Sequence, residues 1–179
     1  MDYFETAAAR HSYRGAYLPA PVPREHLIKI LEAGCQAPSG CNMQTTSFVA
    51  VDDPEVLKQL HALLRKPLGI TAPAMICVLT QALPAYHSRL FHVQDYSAAI
   101  ENLLLAITAL GYASCWVEGY VTDPEGLGKQ MSQVLGVPEE YEMVAYLPVG
   151  IPAEPLRQVP KKPLAERAWF NGFGNEIKS

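Results

Sequence analysis

The sequence predicts an α+β domain, in which helices pack on one small sheet. Its 179 residues suffice for a single domain with a sizeable core. Several apolar or β-rich runs, bounded by turn residues, are typical of strands. They cover 46–52, Pro73–Thr80, Tyr112–Tyr120 and Glu142–Gly150. Because the expected four or five strands do not alternate with helices as strict βαβ units, the pattern favours α+β over a parallel α/β sheet.

Charge and composition argue against several classes of function. The formal net charge is -4, the isoelectric point is near 5.7, and the basic residues form no long run. General nucleic-acid binding and binding to anionic membranes are therefore not expected. The N-terminal segment MDYFETAAAR lacks the apolar core of a signal peptide, and no apolar run reaches membrane-spanning length. Cys35, Cys41, Cys77 and Cys115 show no CxxC spacing, so reduced thiols and a cytoplasmic location are expected.

Three helices are expected in the first half of the chain. Residues 2–9 are rich in alanine and favour a short helix. Pro23 suits the first position of a second helix, which runs to Gln36 with apolar residues at helical spacing. Asp53 is the expected N-cap of a third helix, which begins at Pro54. The second and third helices each present one apolar face, as helices that pack on a sheet do.

Two helices are expected in the second half. The longest should span His92 to Leu110 and end at Gly111. It is apolar nearly all round, which indicates burial at the core axis or against a second subunit. Asp123-Pro124 predicts a shorter helix that runs to about Leu135 and stops at Gly136.

The tail, Pro152–Ser179, is proline-rich and then extended, and has little core of its own. Ala168-Trp169-Phe170 nevertheless places large apolar residues there. Such residues need a partner surface. A C-terminal arm that is exchanged between two subunits of a dimer would supply one.

The loop within Ala37–Asp53 is the first candidate binding element. The preceding helix stops at Pro38, because the residue before a proline is pushed out of the α region. A tight polar loop and a buried strand follow at once. Side-chain amides and hydroxyls at such a rigid junction can recognise the edge of a flat polar ring. The alternative is a plain helix-to-strand connection that is capped by Ser39 and Asn42.

Two further groups of residues are candidates. Arg10, Ser12 and Arg14 combine two guanidiniums with a hydroxyl and no acid, which suits a phosphate. Arg10 and Arg14 would share a face if the first helix continued; the alternative is a solvated basic helix end. Glu118-Gly119 lies at the end of Tyr112–Tyr120, where the predicted strand runs into a loop and glycine permits a close backbone approach to a ligand. The alternative is a turn glycine beside a solvated acid.

Known nucleotide and nucleophile motifs are absent, and no metal site is expected. The sequence contains no GxxxxGK[ST] loop, no GxGxxG after a strand and no GxSxG elbow. His87 and His92 are five residues apart, a poor spacing for a shared metal face on a helix.

The order of these elements resembles the FMN-dependent nitroreductase family over most of the chain. Four parts carry the resemblance: Arg10-His11-Ser12-Tyr13-Arg14, then Ala37–Gln44 with Ser47-Phe48-Val49, then Ala98–Trp116, and finally Leu147-Pro148-Val149-Gly150 with Lys161-Lys162-Pro163-Leu164. Each is short, but the four occur in the order that the family shows.

The resemblance implies an α+β homodimer with a small, mostly antiparallel sheet, an exchanged C-terminal arm and two FMN sites in the dimer interface. The cofactor-binding residues that it implies are Arg10, His11, Ser12, Arg14, Pro38, Ser39, Gly40, Asn42, Gln44, Glu118, Gly119, Lys161 and Lys162. The arginines with one tail lysine would hold the phosphate. The loop would line the isoalloxazine ring from the other subunit, and the Gly119 N–H would lie near the flavin N5 atom.

The implied activity is ping-pong transfer of hydride from NAD(P)H through FMN to a small acceptor such as a nitroaromatic or quinone. No catalytic side chain is expected, because the flavin carries the chemistry. The chain departs from larger members at Thr45-Thr46, in the short segment 81–92 and in having two tail lysines. A flavin-binding or sensory module with little turnover, another FMN reaction such as reductive dehalogenation or flavin breakdown, and a homodimer without ligand remain alternatives.

Overall fold

One three-stranded antiparallel sheet forms the centre of the fold. The computed structural model describes residues 1–123 and 126–175. The strands are β1 (Thr46–Val51), β2 (Ala74–Thr80) and β3 (Glu142–Val149), and their order in the sheet is β1-β2-β3. All seven residues of the central strand β2 are buried. The sheet is covered on both faces, which explains why β2 is a continuous apolar run without polar alternation.

The described part of the chain contains five α-helices, four of which pack on the sheet. They are α1 (Tyr3–Ala9), α2 (Arg24–Cys35), α3 (Pro54–Leu63), α4 (His92–Ala109) and α5 (Leu127–Leu135). Helices α2 and α4 pack on one face of the sheet and meet Ile76 and Val78, while α3 and α5 pack on the other and meet Met75 and Cys77. The two sets of β2 residues meet different helices because successive side chains of a strand point to opposite faces of the sheet. The predicted α+β class is confirmed.

Most predicted helix ends are confirmed within one or two residues. Asp53 caps α3 as expected, since its carboxylate accepts from the backbone N–H groups of Glu55 and Val56 at 2.9 and 3.0 Å. Gly111 follows the end of α4 with φ of 83°, a left-handed conformation that favours glycine. Helix α4 is the core helix that its apolar sequence predicts, with seven buried residues.

The predicted strand at Tyr112–Tyr120 is wrong as a regular strand. Among the described residues, this segment makes only isolated bridges, Ala113 to Gly150, Val117 to Tyr146 and Ser12 to Ser114. Some backbone hydrogen bonds of this segment go to β3 and the residue after it, and others go to the N-terminal part of the chain, so no continuous ladder forms. The sheet of the described chain therefore has three strands and not the expected four or five.

The predicted start of α5, at Asp123-Pro124, cannot be compared in full with the structure. In the described chain α5 begins at Leu127, directly after Gly126, which takes a left-handed conformation with φ of 78°. Pro124, where the helix was expected to start, lies outside the described residues. The predicted stop at Gly136 is confirmed, with φ of 64°.

The first part of the tail is hydrogen-bonded to the N-terminal part of the same chain, and its later part exposes apolar side chains. Backbone bonds join Ala153 to Ala16 and Ile151 to Leu18. Beyond them, Leu164–Glu166 forms a single 3-10 turn, and Phe170 and Phe173 are 61% and 88% exposed. No helix of the described chain is long and apolar enough to span a membrane.

Candidate functional site

Helix α4 connects the three candidate groups that the sequence indicates. Asp95 contacts the polar loop, Tyr96 contacts Glu118, and Glu101 contacts Arg10. All three contacts join residues that are far apart in the sequence. The site is therefore organised around one buried helix, whose role as a positioning element the sequence did not indicate.

The loop Pro38–Gln44 is fixed at both ends. The Gly40 N–H donates to Oδ1 of Asp95 at 2.8 Å, and the Thr45 hydroxyl donates to Oδ2 of Asp95 at 2.8 Å. The loop also closes on itself, because the Gln44 N–H donates to Oγ of Ser39 at 2.9 Å. Asp95 itself is only 4% exposed. The alternative of a plain connection capped by Ser39 and Asn42 is thus too simple for this loop.

The backbone of the loop is strained. Cys41, Asn42 and Gln44 have φ of 52°, 55° and 50°, in the left-handed region that non-glycine residues rarely occupy. Such residues persist where their surroundings over-determine the conformation, and they cluster at functional sites. Pro38, Asn42 and Gln44 are exposed.

The predicted arrangement of Arg10 and Arg14 on one helical face is wrong. Helix α1 ends at Ala9, and Arg10 already has extended backbone angles. The chain then runs beside Ser114, to which the Tyr13 N–H donates at 2.8 Å. Tyr13 is buried while Ser12 and Arg14 are exposed, the alternation of an extended segment. Ser12 and Arg14 consequently share one side of this segment.

Polar groups in this segment lack partners within the described chain. Arg10 pairs with Glu101 at 3.3 Å, but Arg14 makes no ion pair with a described residue. The buried atoms His11 Nε2 and Ser114 Oγ have no hydrogen-bond partner there. Burial raises the pKa of the neighbouring Cys115 thiol, although Arg14 and a hydrogen bond with Ser12 act in the opposite direction. A cation and polar atoms without partners in the described chain, all at one place, fit an anionic ligand.

Glu118 and Gly119 lie at the other end of the segment that begins at Ser114. The Tyr96 hydroxyl donates to Oε1 of Glu118 at 2.8 Å. Burial raises the pKa of Tyr96, and the hydrogen bond to Glu118 adds to this shift. Gly119 is exposed, and a Cβ added there would meet nothing within 4 Å. The chain itself therefore does not require glycine at this position, and the open space can take a ligand.

Lys161 and Lys162 are exposed, and no ion pair within the described chain involves them. The tail is nevertheless tethered close to the arginines. The Gln158 side-chain amide donates to the Ala8 and Ala9 carbonyls at 2.7 and 3.2 Å, just before Arg10. Lys161 and Lys162 follow within four residues, a reach of at most roughly 14 Å.

The loop and the arginine segment lie on different sides of α4. Their contact residues Asp95 and Glu101 are six positions apart. At about 100° per residue, this separates their side chains by about 120° around the helix and about 9 Å along it. One chain therefore builds two separate parts of a site.

Two clefts border this part of the fold. A cleft of ≈ 120 Å³ beside the loop is lined by Pro38, Ser39, Gln44, Thr46 and Asp95, among others. A larger one of ≈ 640 Å³ lies against α5, and none of the predicted site residues lines it. No group of three or more His, Cys, Asp or Glu side chains that could hold a metal occurs within 1–123 and 126–175.

Comparison with known proteins agrees with the order of motifs and with the fold. The model of the nitroreductase family matches residues 7–65 and 57–151, which together cover most of the chain. The chain belongs to the nitroreductase family. The prediction made from the motif order is thereby confirmed.

Three relatives illustrate the similarity. A protein of Archaeoglobus fulgidus with the provisional name NADH dehydrogenase/NAD(P)H nitroreductase is 33% identical over 146 residues, 81% of this chain and 82% of its own. An iodotyrosine deiodinase of Thermotoga neapolitana is 25% identical over 177 residues, 84% and 88% of the two chains. A crystal structure of a nitroreductase with bound FMN from Bacteroides fragilis has a TM-score of 0.75 at 28% identity and covers 94% and 97%. The FMN of that structure agrees with the predicted cofactor.

Proposed function

We propose that this nitroreductase-family protein is an FMN-dependent oxidoreductase. It passes hydride from NAD(P)H through bound FMN to nitroaromatic, quinone or similar acceptors in a ping-pong reaction. The observation that carries the proposal is the segment from Ser114 to Gly119. It joins the exposed Ser12 and Arg14, of which Arg14 makes no ion pair within the described chain, to an exposed glycine backbone at Gly119. One elongated anionic ligand can contact both ends.

The donor set fits the phosphate of FMN. Within the part of the chain that the structure describes, Arg14 makes no ion pair and the buried His11 Nε2 has no hydrogen-bond partner, while Ser12 is exposed. Arginine forks and hydroxyls are strong phosphate ligands. Arg10 contributes less, because Glu101 already compensates part of its charge. Lys161 or Lys162 completes the set from the tethered tail.

The ring site is completed in a homodimer. The loop and the arginine segment lie about 120° apart around α4, so a second copy that packs on this side of α4 brings its loop to the arginines of the first. In this arrangement Pro38, Ser39, Gly40, Asn42 and Gln44 line the ring, and Gly119 offers its backbone N–H. The exposed Phe170 and Phe173 of the tail supply apolar surface for the second copy.

When bound, FMN supplies the acceptor and donor of electron pairs for both half-reactions. The residues of the chain bind and orient. Ser12 and Arg14 fix the phosphate end, the strained loop presents amides and hydroxyls to the polar ring edge, and the hydroxyl of Tyr96 holds Glu118 beside Gly119. No side chain has to act as nucleophile or general acid.

Reductive deiodination is the second candidate. It is favoured by the similarity to the iodotyrosine deiodinase of Thermotoga neapolitana, which is 25% identical over 84% of this chain. The same residues would bind FMN, and the acceptor would be a halogenated aromatic compound. Incubation of the reduced protein with a nitroaromatic, a quinone and an iodinated phenol, followed by product analysis, separates the two reactions.

The visible absorption spectrum tests the proposed function. Protein that is reconstituted with FMN and desalted should stay yellow, bleach with NADH or NADPH and recover its colour with a quinone or nitroaromatic. A colourless protein after desalting would refute it. Bound FMN that is reduced no faster than free flavin would instead support a binding or sensory module.

The free thiols of all four cysteines are consistent with the cytoplasm as the site of action.

A further inference from the structure

Asp95 is a buried carboxylate with no cation partner in the described chain. It lies in the first turn of α4 and is 4% exposed. Burial of a charged group is costly unless hydrogen bonds and favourable dipoles compensate. Here two hydrogen bonds and the positive end of the α4 dipole do so. A core position on an apolar helix would be filled more simply by leucine, so the carboxylate needs an explanation.

The two donors to Asp95 bracket the candidate ring-binding loop. Gly40 lies at the start of the strained part and Thr45 directly after it, and each donates at 2.8 Å to a different carboxylate oxygen. Between them lie Cys41, Asn42 and Gln44, the three left-handed residues. Such a sequence of strained residues persists only when its ends are held in place. Asp95 holds both ends with one side chain.

Phe91 adds a steric limit on the same side. It precedes Asp95 by one helical turn, and a Cβ on Gly40 would lie 2.7 Å from its side-chain carbons. Gly40 is therefore pressed against α4 by contact as well as by its hydrogen bond. The first turn of α4 sets the position of the loop from two directions.

We propose that Asp95 is a positioning residue of the flavin site. It does not touch the cofactor, but it holds Gly40 and Thr45 so that Asn42 and Gln44 face the ring. This inference rests on the proposed function. If Asp95 served only the stability of α4, its loss would destabilise the fold and leave the properties of bound flavin unchanged.

The first experiment measures the loop without cofactor. Amide hydrogen exchange at Gly40 is followed in the FMN-free protein for Asp95→Ala, Asp95→Asn and Thr45→Val. We expect exchange to be about 10- to 100-fold faster in Asp95→Ala, the effect of losing a hydrogen bond to a charged group. Asp95→Asn should restore most protection, because its Oδ1 can accept from Gly40 while its amide donates to Thr45. Thr45→Val gives a milder test if Asp95→Ala does not fold.

Ser97→Ala is the matched control. Ser97 lies in the same helix, and its hydroxyl donates a local bond to the Val93 carbonyl at 2.6 Å. This variant should leave exchange at Gly40 unchanged. Equal exchange at Gly40 in Asp95→Ala and wild type would overturn the proposal, whatever the protein binds.

The second experiment measures the bound flavin. In FMN-loaded protein, Asp95→Ala and Thr45→Val should shift the midpoint potential of FMN and weaken its binding by about tenfold, while Asp95→Asn and Ser97→Ala stay close to wild type. Faster exchange with an unchanged potential and affinity would overturn the positioning role. If wild-type protein retains no FMN, the proposed function fails, and the exchange experiment alone decides whether Asp95 holds the loop.

Discussion

The loop Pro38–Gln44 and the segment Arg10–Arg14 are both predicted to bind the cofactor, but they differ in how far their polar groups already have partners within the chain. The loop is internally complete: its polar ends bond to Asp95 and to each other, and its strained residues are held in place. Within the described chain the arginine segment is incomplete, because Arg14 makes no ion pair and the buried Nε2 of His11 has no hydrogen-bond partner. This difference is what we expect of a site in which a rigid loop recognises the shape of a ligand and donors without a partner recognise its charge.

The largest expected effect tests the packing of the loop Pro38–Gln44 against α4. Gly40→Ala should lower the free energy of unfolding by about 3 kcal/mol, the upper end of the range for overpacking. The reason is that all three atoms nearest to the added Cβ are Phe91 carbons at 2.7 Å, close to its backbone and unable to swing away. Urea denaturation measures it.

Gly119→Ala is the matched comparison for that variant. Its Cβ meets nothing within 4 Å, so stability should stay within about 0.5 kcal/mol of wild type. FMN binding should weaken in Gly119→Ala if the backbone there approaches the ring. Equal destabilisation by the two alanines would contradict the distinction between a packed glycine and an open one.

The next effect tests the segment Arg10–Arg14. Arg14→Ala should weaken FMN binding by about 1–3 kcal/mol, the range for hydrogen bonds to charged groups. Arg10→Ala should cost at most about 1 kcal/mol, because the Arg10 guanidinium already pairs with half-exposed Glu101. Fluorescence titration with FMN gives both values. Unchanged affinity in both variants would place the phosphate elsewhere.

A smaller effect tests the tether of the tail. Gln158→Ala should weaken FMN binding by about 0.5–1 kcal/mol, since it removes exposed hydrogen bonds that keep Lys161 and Lys162 near the arginines. Gln158→Glu is a useful companion, because a carboxylate cannot donate to the Ala8 and Ala9 carbonyls. If both variants bind FMN like wild type, the lysines do not depend on this tether.

The smallest expected effect is measured by thiol labelling, which compares the exposed cysteines with those of the core. Cys35 and Cys41 are exposed and should react quickly with a thiol reagent at pH 8. Cys77 and Cys115 should react only on unfolding, because burial raises the pKa of Cys77 to about 12 and also raises the pKa of Cys115, and because reagents cannot reach them. Mass spectrometry counts the labels. FMN should slow the labelling of Cys41 and leave Cys35 unaffected.

The predictions from sequence were accurate where the signal was local. The strand Ala74–Thr80, the cap at Asp53 and the helix stop at Gly111 each depend on residues within one turn or one strand, and each is confirmed. The predicted strand at Tyr112–Tyr120 failed, because its hydrophobic pattern was correct but its backbone partners are shared between two distant segments.

The site shows the same division. Residue types made Arg14, Ser12 and the loop candidates for binding a phosphate and a polar ring, and the resemblance to the nitroreductase family implied their roles, which stay predictions. Asp95, Tyr96 and Gln158 were not found, because a single acid or phenol in an apolar helix and a glutamine in a tail give no signal of their own. The one available clue was that an aspartate interrupts the apolar surface near the start of α4.

The sequence by itself determined the elements of this protein and the chemistry of its candidate residues, because hydrophobic period, capping and donor type are local properties of the chain. The tertiary structure decided how these residues are held. The bond from Gly40 to Asp95 spans 55 residues and that from Gln158 to Ala9 spans 149. Contacts of this kind join distant parts of the sequence, so the held loop and the Arg14 side chain, which has no ion pair in the described chain, could be distinguished only in the folded chain.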